Sequence, residues 1–432
     1  MPRVTSTKMS DISPEAAKPA RPPLHVATER DEAQASQFLV RGAPAYRRAS
    51  LALFLSGFAT FSLLYCVQPL MPIFAEDFGV SPAASSLSLS LATGFLAVAI
   101  FCAAAISEGV GRRSMMFVSL LGSALCTIAC AIVPDWHMLL AIRALQGFLL
   151  GGVPAVAMAY LSEEVEPRGL GASMGLYIAG NAFGGMAGRV VTGTLAEYFS
   201  WRPALAVIGL LGLAAAIGFR LLLPASRNFK PRKGFNAHFH LMAWIGHIRS
   251  PALPFLFAIG FLVMGAFVTI YNYAGFRLVQ PPYSLNQTEL GLIFTVYLFG
   301  IAASWAAGLL GDRFGHFVVL LAGILCAAIG VAVTLLAPLP LIVLGIVFLT
   351  VGFFMAHSAA SALVGRLARG TKGHASSLYL LAYYIGSSVA GSAGGWFFAI
   401  EGWSAVVFFT LAMLAFAFAA ACTARSLSKR IG

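Results

Sequence analysis

Charge is scarce in this sequence. Only 10% of its 432 residues are Asp, Glu, Lys or Arg, against about 25% in an ordinary soluble domain. Residues 50–75, 85–107 and 403–421 carry no charged side chain at all, and all sixteen Asp and Glu fall in the first 49 residues, in loops or at the ends of such runs. No Gly-x-x-x-x-Gly-Lys-Ser/Thr phosphate loop occurs, so the chain is not itself an ATP-driven pump, and no His-Glu-x-x-His motif marks it as an enzyme. Short segments of alternating polarity, the mark of a porin, are missing too. The six cysteines lie within apolar stretches and read as small buried residues, not as disulfides. Cys126 and Cys130 share a helix face, but no His or carboxylate joins them, so neither a metal nor a cofactor is expected.

What is abundant is apolar. Hydrophobic residues make up 59% of the chain, and the mean hydropathy is +0.85. About twenty residues of helix cross a hydrocarbon core of roughly 30 Å. Backbone polar groups in lipid must be bonded within their own segment, so these runs are helices. Spans are expected near residues 50–75, 83–107, 114–134, 137–161, 170–197, 203–223, 252–275, 288–311, 316–337, 339–365, 372–400 and 403–424. The expected fold class is an all-α polytopic membrane protein of about twelve transmembrane helices, arranged as two six-helix halves. The divisions are a disordered cytoplasmic tail at 1–49, halves at 50–223 and 251–424, a central cytoplasmic loop at 224–250, and a tail at 425–432. The polar, Pro-rich start shows no cleavable signal, so the first span is expected to serve as an uncleaved anchor.

The net charge of +12 is a topology signal, not the mark of a nucleic-acid partner. With the N-terminus inside, 24 of the 28 Lys and Arg fall on the cytoplasmic side; Arg202 and Arg277 lie outside, and Arg143 and Arg189 lie within spans. The positive-inside rule thus places both termini in the cytoplasm of an inner-membrane protein, with the lipid bilayer as its partner.

The halves repeat. At an offset of 202, Gly171, Tyr177, Gly184, Gly193 and Trp201 fall on Gly373, Tyr379, Gly386, Gly395 and Trp403. At an offset of 204, Glu108 and Gly111 fall on Asp312 and Gly315. Duplicated halves around a midplane site are what alternating access requires.

Loop 2–3 reads Ser107-Glu108-Gly109-Val110-Gly111-Arg112-Arg113, and loop 8–9 reads Gly308-Leu309-Leu310-Gly311-Asp312-Arg313-Phe314-Gly315-His316. Both resemble the G-x-x-x-D-R-x-G-R-R signature of the major facilitator superfamily. That resemblance covers residues 50–424 and implies the superfamily's fold and two cytoplasmic latches made and broken during transport. One latch would be Glu108, Gly111, Arg112 and Arg113; the other would be Asp312, Arg313 and Gly315. Glu108 replaces Asp, Gly109 replaces an Arg, and His316 replaces a basic residue, which makes the second latch weaker or pH-sensitive. Arg143-Ala144-Leu145-Gln146-Gly147 looks like the R-x-x-Q-G motif of proton-coupled members. Residues 175–189 resemble the Gly-rich fifth helix of the exporters, with Gly180-Asn181 where Gly-Pro is usual. Together with Tyr65-Cys66-Val67-Gln68-Pro69 they are similar to the acriflavine-sensitivity, or YnfM-like, branch.

Two embedded arginines are costly and point to function. Arg143, Arg189, Gln68 and Tyr65 come out at similar depth, so a polar cluster from helices one, four and five is expected, with Gln146 and Asn181 beside it. The opposing readings are that Arg143 snorkels outward and that Arg189 pairs with Glu197. Tyr297, Tyr379 and Tyr383 are the cavity candidates of the second half, with Tyr384. Tyr271, Asn272 and Tyr273 fit either the cavity or an aromatic belt. Embedded arginine without embedded acid favours a neutral or anionic small-molecule substrate. Protons are the expected coupling ion, carried by Glu197, Asp77 or His357, with Glu76, Glu289 and Glu401 as further rim acids; His357 reads equally as a packing residue. Glu163, Glu164 and Glu166 read as a solvated helix end. The leading expectation is a monomeric secondary transporter working by proton-coupled efflux. The alternatives are an importer of a small organic anion or sugar, and a non-transporting membrane receptor or scaffold.

Overall fold

The computed structural model describes residues 38–229 and 237–429, with the side chains of 101, 104–108, 155 and 237 outside the description. The tail at 1–37, Lys230, Arg232, Lys233, residues 430–432 and the Glu108 side chain therefore lie outside the described residues.

Proline and glycine set the element boundaries in the first half. The first membrane pass is α1 (Pro44–Tyr65), a 3₁₀ turn (Gln68–Leu70) and α2 (Met71–Asp77). Pro69 lacks the N–H that would bond back to Tyr65, so the pass leaves the α-helix over residues 66–70, and Pro72 sits in the first turn of α2. It starts at Pro44, inside the stretch read as tail, because proline suits the first helical turn. The second and third passes are α3 (Pro82–Val110) and α4 (Arg112–Cys130). The fourth is split into α5 (Trp136–Leu150), capped by Asp135 Oδ1 accepting from the Met138 N–H at 3.0 Å, and α6 (Pro154–Glu164). Then come α7 (Pro167–Tyr198) and α8 (Trp201–Leu222).

A short helix the sequence had left as loop, α9 (Ala237–Ile248), separates the halves. The second half holds α10 (Leu253–Leu278), α11 (Gln287–Ile293) and α12 (Tyr297–Phe314) joined by a 3₁₀ turn, α13 (His316–Val333), α14 (Leu339–Leu367), α15 (Lys372–Glu401) and α16 (Trp403–Lys429). Nine helical segments among the described residues are long and apolar enough to span a membrane. The broken fourth pass, α7 and α15 complete the two sets of six.

The internal repeat is three-dimensional. A Cβ at Gly184 on α7 would overlap the Phe58 carbonyl of α1, and one at Gly386 on α15 would overlap the Phe261 carbonyl of α10. Small residues let these backbones touch where lipid supplies no hydrophobic drive. Gly111 (φ 93°, ψ 143°) and Gly315 (φ 92°, ψ 137°) share one backbone conformation that other residues rarely adopt.

One end of the bundle collects the basic residues; the other carries residues 76–80, 197–202, 279–287 and 401 and is called the far end. The halves meet through α3 against α15, α7 against α11, and the Gln68 turn against α10. A Cβ at Gly193 on α7 would sit 2.6 Å from the Gln287 carbonyl at the far end.

At the basic end the structure corrects the reading of Glu163, Glu164 and Glu166 as solvated. Glu163 pairs with Arg112 at 2.8 Å. Glu164 is 2% exposed and accepts the N–H groups of Arg227 and Asn228 at 2.9 Å each. Glu166 accepts the Arg41 N–H at 2.7 Å beside a bridge between Leu39 and Val165, so residues 38–43 strap across the start of α7. Their partners, an arginine side chain for Glu163 and backbone N–H groups for Glu164 and Glu166, are distant in sequence, which no local pattern shows.

Candidate functional site

The break in the first pass leaves the last carbonyls of α1 without helical donors. Arg143 supplies them. Its Nη1 and Nη2 donate to the carbonyls of Leu63 (3.1 Å) and Leu64 (2.6 Å), and its Nε to that of Ser88 (2.7 Å). Nη1 also donates to Gln146 Oε1, while Gln146 Nε2 donates to the Leu63 carbonyl (3.2 Å) and Thr127 Oγ1 (2.6 Å). A buried cation at a helix C-terminus is favoured by the helix dipole. Arg143 is 1% exposed, so it does not snorkel, and its donors are spent on α1 and α3. Arg143 and Gln146, expected in the substrate cluster, here form a clamp that holds the broken helix.

Arg189 is different. It is also 1% exposed. Its Nε donates to Gln68 Oε1 (2.7 Å) and its Nη1 to the Gly185 carbonyl (2.6 Å). Three rings enclose the guanidinium, those of Tyr65 (4.3 Å from the centroid), Phe294 (4.9 Å) and Tyr297 (4.9 Å). A desolvated cation–π contact is worth about 2 kcal/mol. No carboxylate pairs with Arg189 among the described residues. Glu197, the alternative partner, instead accepts the Gln287 N–H at 2.7 Å across the seam between halves.

From Arg189 the polar chain crosses to the second half: Gln68 Nε2 donates to Asn272 Oδ1 at 2.6 Å. Tyr271, Asn272 and Tyr273 are at most 4% exposed, so they are interior residues and not an aromatic belt. Tyr271 shares a hydrogen bond with Thr350 Oγ1 (2.8 Å) and stacks on Phe294 (5.2 Å). Beyond it, His357 Nδ1 and the Tyr379 hydroxyl share a hydrogen bond of 2.9 Å, and the His357 ring lies 4.7 Å from that of Tyr383. Tyr384 lies beside Tyr65 and Tyr177. Asn181 packs its Oδ1 against Gly57 of α1, next to Tyr177.

The structure thus gathers Tyr65, Gln68, Asn181, Arg189, Tyr297, Tyr379 and Tyr383 around the junction of the halves. The sequence reading missed Phe294 as a wall of the arginine cage and Ser387 beside Tyr65; an apolar ring and a lone serine in a span carry no distinguishing signal. The buried Tyr65 hydroxyl lies beside that of Ser387, and the Tyr177 hydroxyl beside Asn181 Oδ1, in both cases without well-formed hydrogen-bond geometry. Two such loosely paired polar couples in one buried region suit a site that bonds a polar solute.

Of the other proposed proton carriers, Asp77 Oδ2 accepts from Trp201 Nε1 (2.5 Å) among the far-end rings of Phe74 and Phe78. At the first expected latch, Arg113 Nη2 donates to the Arg220 carbonyl (2.5 Å), so Arg112 and Arg113 tie α4 to α6 and α8. In the second, Asp312 and Arg313 are exposed and form no ion pair among the described residues. His316 Nδ1 there accepts from Arg366 Nη1 (2.9 Å), in the place that Arg112 and Glu163 hold in the first half.

Comparison with known proteins agrees with this architecture. The chain is 44% identical over 388 residues to the inner membrane transport protein YnfM of Escherichia coli (strain K12), covering 89% of this chain and 92% of the relative. It is 45% identical over 370 residues to the uncharacterized MFS-type transporter YybF of Bacillus subtilis (strain 168), covering 86% and 91%. Among solved structures, a bacterial homolog of the human lysosomal transporter Spinster, in an inward-facing and occupied conformation, superposes with a TM-score of 0.70 at 15% identity, covering 90% of this chain and 98% of that one. The family model of the Major Facilitator Superfamily matches residues 53–280 and 265–430, and the chain belongs to that superfamily of membrane transporters.

Proposed function

We propose that this protein is a secondary transporter of the inner membrane that exports a neutral or anionic organic solute in exchange for protons. The observation that carries the reading is the Arg189 cage: a buried cation without a carboxylate, walled by aromatic rings and linked through Gln68 to Asn272 of the opposite half. An anionic or hydrogen-bonding group brought to Arg189 finds charge, apolar area and buried hydroxyls together. Because both halves contribute, rocking one against the other makes and dissolves the site.

In this reading the basic end faces the cytoplasm, as the positive-inside rule directs. The far end is closed by Gly193 against Gln287 and by the Glu197 bond to the Gln287 N–H. Glu197 is the proton-responsive group best placed among the three candidates, since its carboxylate alone bonds across the seam; Asp77 and His357 bond within their own halves. Uptake of a small organic anion or sugar would use the same cage, and efflux is preferred on the likeness of residues 175–189 to the exporters.

The test is substrate-induced proton movement in proteoliposomes of the purified protein, with a panel of organic anions, neutral sugars and cationic dyes. A proton signal with anions or neutral solutes that is lost in Arg189→Ala is the expected result. A signal with cationic dyes alone overturns the charge argument.

A further inference from the structure

Helix α9 is amphipathic in the reverse sense. Its polar residues at i, i+4 and i+7 grip the protein: His240 Nδ1 shares a 2.8 Å hydrogen bond with His374 Nε2, Trp244 Nε1 donates to Ser377 Oγ at 3.3 Å, and His247 Nε2 donates to the Thr371 carbonyl at 3.0 Å. Its apolar residues point away. Leu241, Met242 and Ile248 are 53%, 51% and 53% exposed. In water that arrangement forfeits apolar burial on every turn of the helix; at a membrane surface it is favourable. The helix sits where α10 begins and where α14 and α16 end, at the ends of these membrane-spanning helices.

Between α9 and those ends runs a groove of about 820 Å³. Met242, Leu253, Leu367, Arg366, Arg369 and Ser428 are among the residues that line it, and no acidic residue does so among the described residues. Arg366 Nη1 donates to His316 Nδ1, and Arg369 is exposed and makes no hydrogen bond or ion pair among the described residues. Two arginines and several apolar side chains lining one groove complement a molecule with an anionic phosphate head and hydrocarbon tails.

We propose that this groove binds an acidic phospholipid of the surrounding leaflet, with the phosphodiester on Arg366 and Arg369 and the acyl chains along Met242 and the outward face of α9. The site shares no residue with the Arg189 cage. A free phosphate would meet the same arginines but would leave Leu241, Met242 and Ile248 uncovered, which is why the lipid is the occupant.

Native mass spectrometry of the full-length protein in detergent tests this, with phosphatidylglycerol, phosphatidylcholine and inorganic phosphate as probes. One phosphatidylglycerol is expected to be retained in preference to phosphatidylcholine. Each juxtamembrane Arg contributes about 1 kcal/mol to binding an anionic lipid, so Arg369→Ala should weaken retention about 5-fold and the double change with Arg366→Ala about 30-fold. Met242→Glu should weaken it as well, while leaving both arginines in place. Equal retention of phosphatidylcholine overturns the charge argument. Displacement of the lipid by inorganic phosphate at similar concentration overturns the choice of a lipid. Retention unchanged in both Arg369→Ala and Met242→Glu places any bound lipid elsewhere and overturns the site. The comparison of phosphatidylglycerol with phosphatidylcholine uses only the native protein, so it decides the question even where a variant folds poorly.

Discussion

Arg189 donates to Gln68 across 2.7 Å, and that single bond joins the Gly-rich helix α7 to the broken turn of the first pass. Because Gln68 passes the connection to Asn272, a change at Arg189 is felt in both halves. Arg189→Ala removes the cation from its cage and leaves Gln68 Oε1 without its donor. Transport in proteoliposomes should fall by at least about 100-fold, since a charge-assisted bond and a desolvated cation–π contact together exceed about 3 kcal/mol. Arg189→Lys keeps the charge but cannot fork to both Gln68 and Gly185, so intermediate activity is expected. Full activity in Arg189→Ala would return the residue to a structural role.

Arg143 should behave in the opposite way. Its donors serve the carbonyls of Leu63, Leu64 and Ser88, and removing them leaves buried acceptors unpaired at about 1–3 kcal/mol each. Arg143→Ala should therefore lose about 3–5 kcal/mol of stability, seen as a lowered unfolding midpoint in detergent. An unchanged midpoint with abolished transport would make it a substrate residue after all.

The glycine stripe gives a paired test with its own control. Gly184→Ala and Gly386→Ala each drive a methyl group into a backbone carbonyl of the facing helix, at a cost of about 1–3 kcal/mol. Gly175, on the same helix as Gly184, has open space where a Cβ would go. Gly175→Ala should be neutral or stabilising by up to about 1 kcal/mol through helix propensity. Thermal unfolding of the three variants checks the ranking, and equal midpoints would show that the helices separate freely at these contacts.

The features legible from the sequence are those that need a particular residue type. Apolar length revealed the passes, and the paired Gly111 and Gly315 revealed the repeat, because their backbone angles suit glycine. What was misread depends on partners that have no letter of their own. Arg143 bonds to carbonyls, which every residue carries, so depth alone made it look like a neighbour of Arg189. Glu164 caps backbone N–H groups 63 and 64 positions away. Helix α9 was read as loop because it is short and its apolar face turns outward, the reverse of the pattern that marks a helix packed on a core. The cage itself was legible in part: tyrosines and glutamine at a common depth were visible, whereas Phe294 looked like any other apolar residue in a span.

Glu197 holds the far end by accepting the Gln287 N–H from the other half. Glu197→Ala removes that acceptor, whereas Glu197→Gln keeps an oxygen in its place. Hydrogen exchange of the segment 284–292 should therefore speed up in the alanine variant and stay near the native rate in the glutamine variant. Equal protection in all three proteins would assign closure of the far end to the packing of Gly193 on Gln287 alone.

Asp312 is exposed and unpaired in this conformation, among the described residues, while its neighbour His316 is held by Arg366. A latch residue that bonds nothing in one state can act only by stabilising another. Asp312→Asn should then leave the unfolding midpoint within the equivalent of about 0.5 kcal/mol, as for other exposed substitutions. Its effect should fall on the exchange between states: turnover slows several-fold while substrate affinity, measured on the purified protein, stays the same. A variant that keeps its turnover and loses affinity would remove Asp312 from the latch and place it in the path of the substrate.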